Sequence, residues 1–374
     1  MSGPGLEPLR AVTYRSDASR RLEDVTMRPP EIWDDDLVRR LSALRPDHVM
    51  HLLAPGSDLG TTLQRWHSAG ALDIAGTSGL YGWSWQVAGR RIRGVAGAMA
   101  LPVGQRLIPH ERVRSDIVAA RADGLARAVV QAEPIVVLHD GHPLGAATTG
   151  PLPPDSLVEL STADERHRVW QLGTRDAADV SAGLAVGPPP VVADGHHRLA
   201  ALDSLAVAGS AFSHALVLVV DVGASDLSVR TIHRVVPGLD ADRVATATGV
   251  SLVPVPDGAE LQFLRQTGRG RLRFVLGDSA RLLGLEVSVE QVHALCHLHR
   301  NLLPRWEVPE ARLGYAHEWS VARTAASTAH GLAIATSAPG LPEVLEAARS
   351  GHLLPHKATS IGPKPRIGLL MLSG

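Results

Sequence analysis

Pro190-Val191-Val192-Ala193-Asp194-Gly195-His196-His197-Arg198-Leu199-Ala200-Ala201-Leu202 decides how this chain is read. A short apolar run, read as a buried strand, ends in Asp194-Gly195, a turn signal. Helical spacing begins at once, with Leu199, Leu202, Leu205 and Ala206 on one face. An Asp, a Gly, two His and an Arg therefore stand where a strand hands over to the first turn of a helix. Such a turn offers backbone N–H groups without helical partners and the positive end of the helix dipole, so it suits an anion such as phosphate. Arg198 adds a planar fork for the same anion. A plain helix cap by Asp194 with packed histidines is the competing reading. The convergence of four polar groups at a strand end favours a site.

Helix and strand alternate outward from this motif. Strands are expected at Pro134–Leu138, Val169–Leu172 and Ala215–Val222, with a helix over about 115–131 and a turn at His139-Asp140-Gly141-His142. Alternation over 105–235 argues for an α/β domain. Upstream, Thr61–Gly70 reads as a helix stopped by glycine, and Gly79–Gly97 as a β-hairpin bending at Ala88-Gly89. Residues 1–35 are polar and Pro-punctuated, running into Asp34-Asp35-Asp36. Residues 240–355 read as helices (285–302, 341–350) around a strand pair near 272–286. The expected class is α/β, or α+β overall, in three parts. These are an N-terminal α+β region with the hairpin (1–104), a central α/β domain carrying the motif (105–238), and a C-terminal α+β region whose tail folds back (239–374).

The bulk numbers narrow the class. With 374 residues, 45% of them hydrophobic, the chain can bury a large core and more than one domain. A net charge of −1 gives no global attraction to nucleic acid or an anionic membrane, and no basic run interleaved with aromatics stands in for one. The single cysteine, Cys296, excludes an internal disulfide and fits a reducing cytoplasm. Neither a signal-peptide pattern at the N-terminus nor an apolar run of about 20 residues is present, so a soluble cytoplasmic protein is expected. Only two of the 37 basic residues are lysines, Lys357 and Lys364. The drift from Lys to Arg fits a GC-rich bacterial genome. Both lysines fall within Pro355–Arg366, which points to a positional need for a compact, mobile ammonium.

Four segments carry a family resemblance: Pro109-His110-Glu111, Ala193-Asp194-Gly195-His196-His197-Arg198, Thr231-Ile232-His233-Arg234-Val235-Val236, and the tail from Lys357 to Lys364. In this order, over about residues 45–370, they resemble the bacterial and archaeal family known as domain of unknown function 1015. The family's tail pattern, Pro-Lys-Ser-Thr-aromatic-x-x-Pro-Lys, keeps both lysines here, while Ala358 replaces the serine and Ser360 stands where an aromatic is usual. Leu199 and Ala200 replace the Tyr-Glu pair usual after the motif arginine. The region 105–235 is further similar to the free-serine kinases of the ParB/sulfiredoxin superfamily. That resemblance implies a ParB/sulfiredoxin-like central domain, ATP or ADP bound through the strand–turn–helix, and a separate Glu that activates a substrate hydroxyl.

Candidates exist for each role that phosphoryl transfer requires. Gly195, His196 and Arg198 are expected at the nucleotide phosphates, with Lys357 and Lys364 folding over them or merely neutralising the chain end. Asp194 and His197 join the catalytic group, and Asp194 is the expected Mg²⁺ ligand. Glu111 is either the general base or a carboxylate favoured near a helix start. His110, His233 and Arg234 are expected to line the same pocket. The spacing of His293, Cys296, His297 and His299 lacks the pattern of a zinc site. Tyr315, His317, Glu318 and Trp319 line a pocket or cap a helix. The function expected is a nucleotide-dependent kinase acting on a small serine-like hydroxyl compound. The alternatives are a nucleotide-binding regulatory protein without transfer and, more weakly, a phosphate-ester hydrolase.

Overall fold

The computed structural model describes residues 5–16, 21–30, 35–43, 45–53, 59–127, 130–141, 144–209, 212–249, 251–266, 270–288 and 293–373. Asp34 and His142 lie outside them. The chain divides into two compact units, one of residues 1–228 with 362–374 and one of residues 229–361.

The first unit is built on an eight-stranded mixed sheet. Its strands are β1 (Tyr81–Val87), β2 (Arg90–Ala100), β3 (Ile108–Pro109), β4 (Ile135–His139), β5 (Val158–Ser161), β6 (Glu165–Gln171), β7 (Val191–Asp194) and β8 (His214–Asp221), in the spatial order β3-β7-β4-β8-β2-β1-β6-β5. β7 runs parallel to β3, and β8 parallel to β4; every other pairing is antiparallel. β8 is the apolar run Ala215–Val220, fully buried, as a strand covered on both faces requires. β1 and β2 form the expected hairpin. Ala88 (φ 50°) and Gly89 (φ 81°) both adopt the left-handed region, the geometry whose twist matches the two strands. Three helices matter to the site: α1 (Ser115–Arg127), α2 (Thr174–Val186) and α3 (His196–Val207). Val180 and Leu184 of α2, and Leu199 and Leu202 of α3, pack into one core with Val95, Ile135, Val137, Val192, Val217 and Val219. A second sheet of the same unit brings the chain ends together, with Ala11–Tyr14 paired between Leu72–Ile74 and Met371–Ser373.

The second unit holds a six-stranded antiparallel sheet containing His233–Val236, Arg271–Gly277, Leu282–Ser288 and Leu332–Ala335. Phe274, Trp306, Leu298 and Ile334 share its main core. No helix among the described residues is long and apolar enough to cross a membrane.

Two expectations differ from this architecture. The boundary at 104 falls inside one sheet, because residues 94–100 of β2 pair with residues 214–220 of β8. The helix expected over 285–302 is strand as far as Ser288, where Glu286 meets Arg271 and Arg273 across the ladder, and turns helical only from Ala294. A short apolar run fits either periodicity, and here cross-strand pairing decides.

Candidate functional site

β7 ends at Asp194 and α3 begins at His196, so the strand–turn–helix is present as its spacing predicts. Gly195 makes the turn at φ +93°. A Cβ there would lie 2.9 Å from Arg198 Nη2 and 2.9 Å from Ile135 Cδ1. Both the backbone angle and the space therefore require glycine.

Asp194 is the centre of charge. Lys364 Nζ donates to its Oδ1 and Arg198 Nη2 donates to its Oδ2 at 3.2 Å. Burial alone would raise the Asp194 pKa, but Lys364 and Arg198 outweigh it and hold the carboxyl well below the usual range. Lys364 reaches this carboxylate across 170 positions of sequence.

Arg198, expected at a phosphate, also donates to Glu133 and, at 3.1 Å, to the carbonyl of Pro134. Its charge is shared between two carboxylates. Glu133 belongs to none of the sequence motifs. The signal lay in strand pairing: Asp194 sits opposite Val136 on antiparallel β4, so Glu133 and Pro134 flank the turn. Arg121 on α1 was also missed. Burial lowers its pKa, and its electrostatic neighbours are Glu133, Arg198 and Asp194, so it faces the same cluster.

The histidines divide into distinct roles. His197 Nε2 accepts the backbone N–H of Arg114 at 3.1 Å, just ahead of α1, which ties the two helices together. His110 Nδ1 donates to the carbonyl of Val192 at 2.6 Å, and its ring meets His196 edge-on with centroids 4.6 Å apart. Burial lowers the pKa of both His110 and His196, most strongly for His196, so each is a neutral imidazole at neutral pH. His196 Nδ1 stands 3.7 Å from Glu111 Oε1, while its buried Nε2 has no hydrogen-bond partner among the described residues. A buried polar atom without a partner is expensive unless a ligand or water completes it.

The structure thus brings together His110, Glu111, Asp194, Gly195, His196, His197, Arg198 and Lys364. The other three candidates belong to the second unit. Arg234 is fully buried there, donating from Nε to His299 Nε2 at 3.1 Å and from Nη1 to the carbonyl of Ile232, with its guanidinium 5.4 Å from the Tyr315 ring centre. His299 Nδ1 bonds Glu310 at 2.6 Å, so this group reads as a buried polar strut. His233 packs against Trp319, and burial takes its pKa down to about 4. Lys357 occupies a left-handed backbone position, φ 56°. His293 caps the helix from Ala294, its Nδ1 accepting from Leu295 N at 3.2 Å.

Magnesium was expected on Asp194. Both carboxylate oxygens are ion-paired, and no three His, Cys, Asp or Glu side chains among the described residues group as metal ligands. The residues present do not fit a protein-held Mg²⁺.

The family model for Protein of unknown function (DUF1015) matches residues 6–284. The chain belongs to this family. The match begins earlier than the resemblance expected over 45–370 and stops before the lysine-bearing tail. No curated protein matches the chain. Among solved structures, a conserved hypothetical protein from Pyrococcus furiosus is 16% identical at a TM-score of 0.43, covering 74% of this chain and 93% of that one. A free serine kinase in complex with AMP is 16% identical at a TM-score of 0.42, covering 73% and 91%. SbnI with a C-terminal truncation, from Staphylococcus aureus, is 12% identical at 0.41, covering 74% and 87%. Likeness this remote carries no conclusion about activity.

Proposed function

We propose that the turn from Asp194 to Arg198 binds the phosphates of ATP or ADP, and that the protein transfers a phosphoryl group to the hydroxyl of a small serine-like compound. The observation that carries this reading is Lys364, delivered from the far end of the chain to the start of α3, beside a buried His196 whose Nε2 lacks a hydrogen-bond partner among the described residues. The α3 N-terminus and the Lys364 ammonium form a positive rim suited to phosphate oxygens. Asp194 is a positioning residue, holding Lys364 and Arg198 in place. His196 Nε2, in the tautomer that carries its proton there, is a neutral donor to a phosphate oxygen.

In the transfer, the substrate hydroxyl oxygen bonds the terminal phosphorus as the bond to the bridging oxygen breaks and the shortened nucleotide leaves. Glu111 takes the hydroxyl proton; its carboxylate stands next to His196, on the segment paired with β7 through β3. One observation favours the regulatory alternative: Arg198 is already engaged by Glu133, Asp194 and Pro134, as a structural rather than a transferring arginine would be.

Turnover of ATP and ADP with serine-like hydroxyl compounds, in the wild type and in Glu111→Gln, separates the two. The kinase reading expects phosphorylated product from the wild type, and a loss of at least about a hundredfold in Glu111→Gln with nucleotide affinity retained. Nucleotide binding with no product from the wild type would overturn transfer and leave the regulatory reading.

A further inference from the structure

Four arginines outside the Asp194 turn share one face of the first unit's sheet. Register places them on two successive rungs. Arg93, Ser84, Arg168 and Glu159 lie side by side across β2, β1, β6 and β5; Arg91, Gln86, Arg166 and Ser161 form the next rung. The preceding rung on the same face, Val95, Gly82 and Trp170, belongs to the hydrophobic core, with the Trp170 ring lying over Gly82. The sheet face therefore changes from core to a block of positive charge within one step. A cavity of about 520 Å³ opens there, lined by Ser84, Gln86 and all four arginines. That volume is in the range of small-molecule sites.

Folding alone gives little reason for this arrangement, since Arg91 with Arg93, and Arg166 with Arg168, are like charges two residues apart on the same face of a strand. Two carboxylates come near. Glu159 is exposed and 3.7 Å from Arg168, and Asp226 accepts the backbone N–H of Arg91 at 3.2 Å. Arg93 is the most telling member. It is only 8% exposed, and one of its terminal nitrogens donates to the Gly150 carbonyl at 3.2 Å. The other, Nη1, is buried with no partner among the described residues. Burial, then Arg91 beside it, lowers its pKa, as an uncompensated cation would show.

We propose that this face is a second ligand site, taking a small polyanion that bears phosphate groups. The stems on β2 and β6 stand two strand spacings apart, about 10 Å, and the rungs about 7 Å apart, so the four forks surround the Ser84–Gln86 column. An anion seated over that column accepts from arginines on both sides, from the Ser84 hydroxyl and from the Gln86 amide. Planar forks in this number match phosphate oxygens. In the sheet, β4 and β8 separate β7, which carries Asp194, from β2, so the site is distinct from the Asp194 turn.

Calorimetric titration with inorganic pyrophosphate, carried out on Lys364→Gln protein, tests the site with the Asp194 turn impaired. Binding is expected to persist there, and to weaken at least about tenfold when Arg91→Gln and Arg166→Gln are added. Arg91 and Arg166 are exposed, so the fold survives, as circular dichroism would confirm. Absence of binding in Lys364→Gln protein, or binding unchanged by the two added substitutions, would overturn the proposal.

Discussion

Replacing Glu165 by Gln should destabilise the first unit by about 3 kcal/mol at neutral pH, and the loss should fade in acid. Glu165 on β6 is buried and accepts from Arg366 Nη1, from Arg28 Nε at 3.1 Å and from His167 Nε2 at 3.2 Å. Arg366 also donates to Thr26 and to the carbonyl of Glu23, so one carboxylate ties together the N-terminal segment, the sheet and the C-terminal tail. Burial would raise the Glu165 pKa, but the His167 hydrogen bond and the two arginines outweigh it and take it to about 2, from 4.5. At about 1.4 kcal/mol per tenfold change, that fall corresponds to about 3 kcal/mol. Removing one member of a buried pair costs a similar amount, about 3 to 5 kcal/mol.

The folded pKa of Glu165 is depressed. Its contribution is therefore complete above pH 4.5 and is lost as pH falls through about 2. Urea unfolding of wild type and Glu165→Gln at intervals from pH 7 to pH 2 measures this directly. The gap should hold at about 3 kcal/mol down to pH 4.5 and then close. A gap under about 1 kcal/mol at pH 7, or one that stays constant into acid, would refute the reasoning.

Three further outcomes are expected. Stability should decline as pH falls from 6.5 towards 4, because burial, with His51 and Arg366 nearby, lowers the His48 pKa to about 4; the unfolded chain then takes up the proton first, and a flat melting temperature across this window would contradict it. Gly195→Ala should cost about 1 to 3 kcal/mol through its left-handed backbone and the approach to Arg198 and Ile135, read by chemical denaturation, where a neutral effect would refute the strained turn. Arg198→Ala should destabilise by about 3 kcal/mol, since Glu133 and Asp194 would lose a shared cation, and an unchanged midpoint would show that those contacts are not maintained in solution.

Much of the local structure was legible because its signals are local. Ala88-Gly89 between alternating segments specifies the hairpin, and Asp194-Gly195 before a helical pattern specifies the strand–turn–helix. What escaped depends on pairing between distant segments. Glu133 becomes a partner of Arg198 only once β4 is known to run antiparallel beside β7. Lys364 stood out by composition, yet its target, Asp194, is set by the path of the tail. Arg91, Arg93, Arg166 and Arg168 come onto one face only through two registers, that of β1 with β2 and that of β1 with β6. The segment after Leu282 carries an apolar pattern compatible with helix or strand, and only its neighbour, Arg271–Gly277, resolves it.

The central claim is that Lys364 and the α3 N-terminus together hold nucleotide phosphates. Lys364→Gln tests it more cleanly than a change at Arg198, because Asp194 keeps Arg198 as a partner when the lysine is removed. Isothermal titration of wild type and Lys364→Gln with ATP and ADP is the most direct measurement. The account predicts saturable binding of at least one nucleotide by the wild type, weakened at least about tenfold in the variant while the fold is retained. No nucleotide binding by the wild type, or equal affinity in the two proteins, would contradict it.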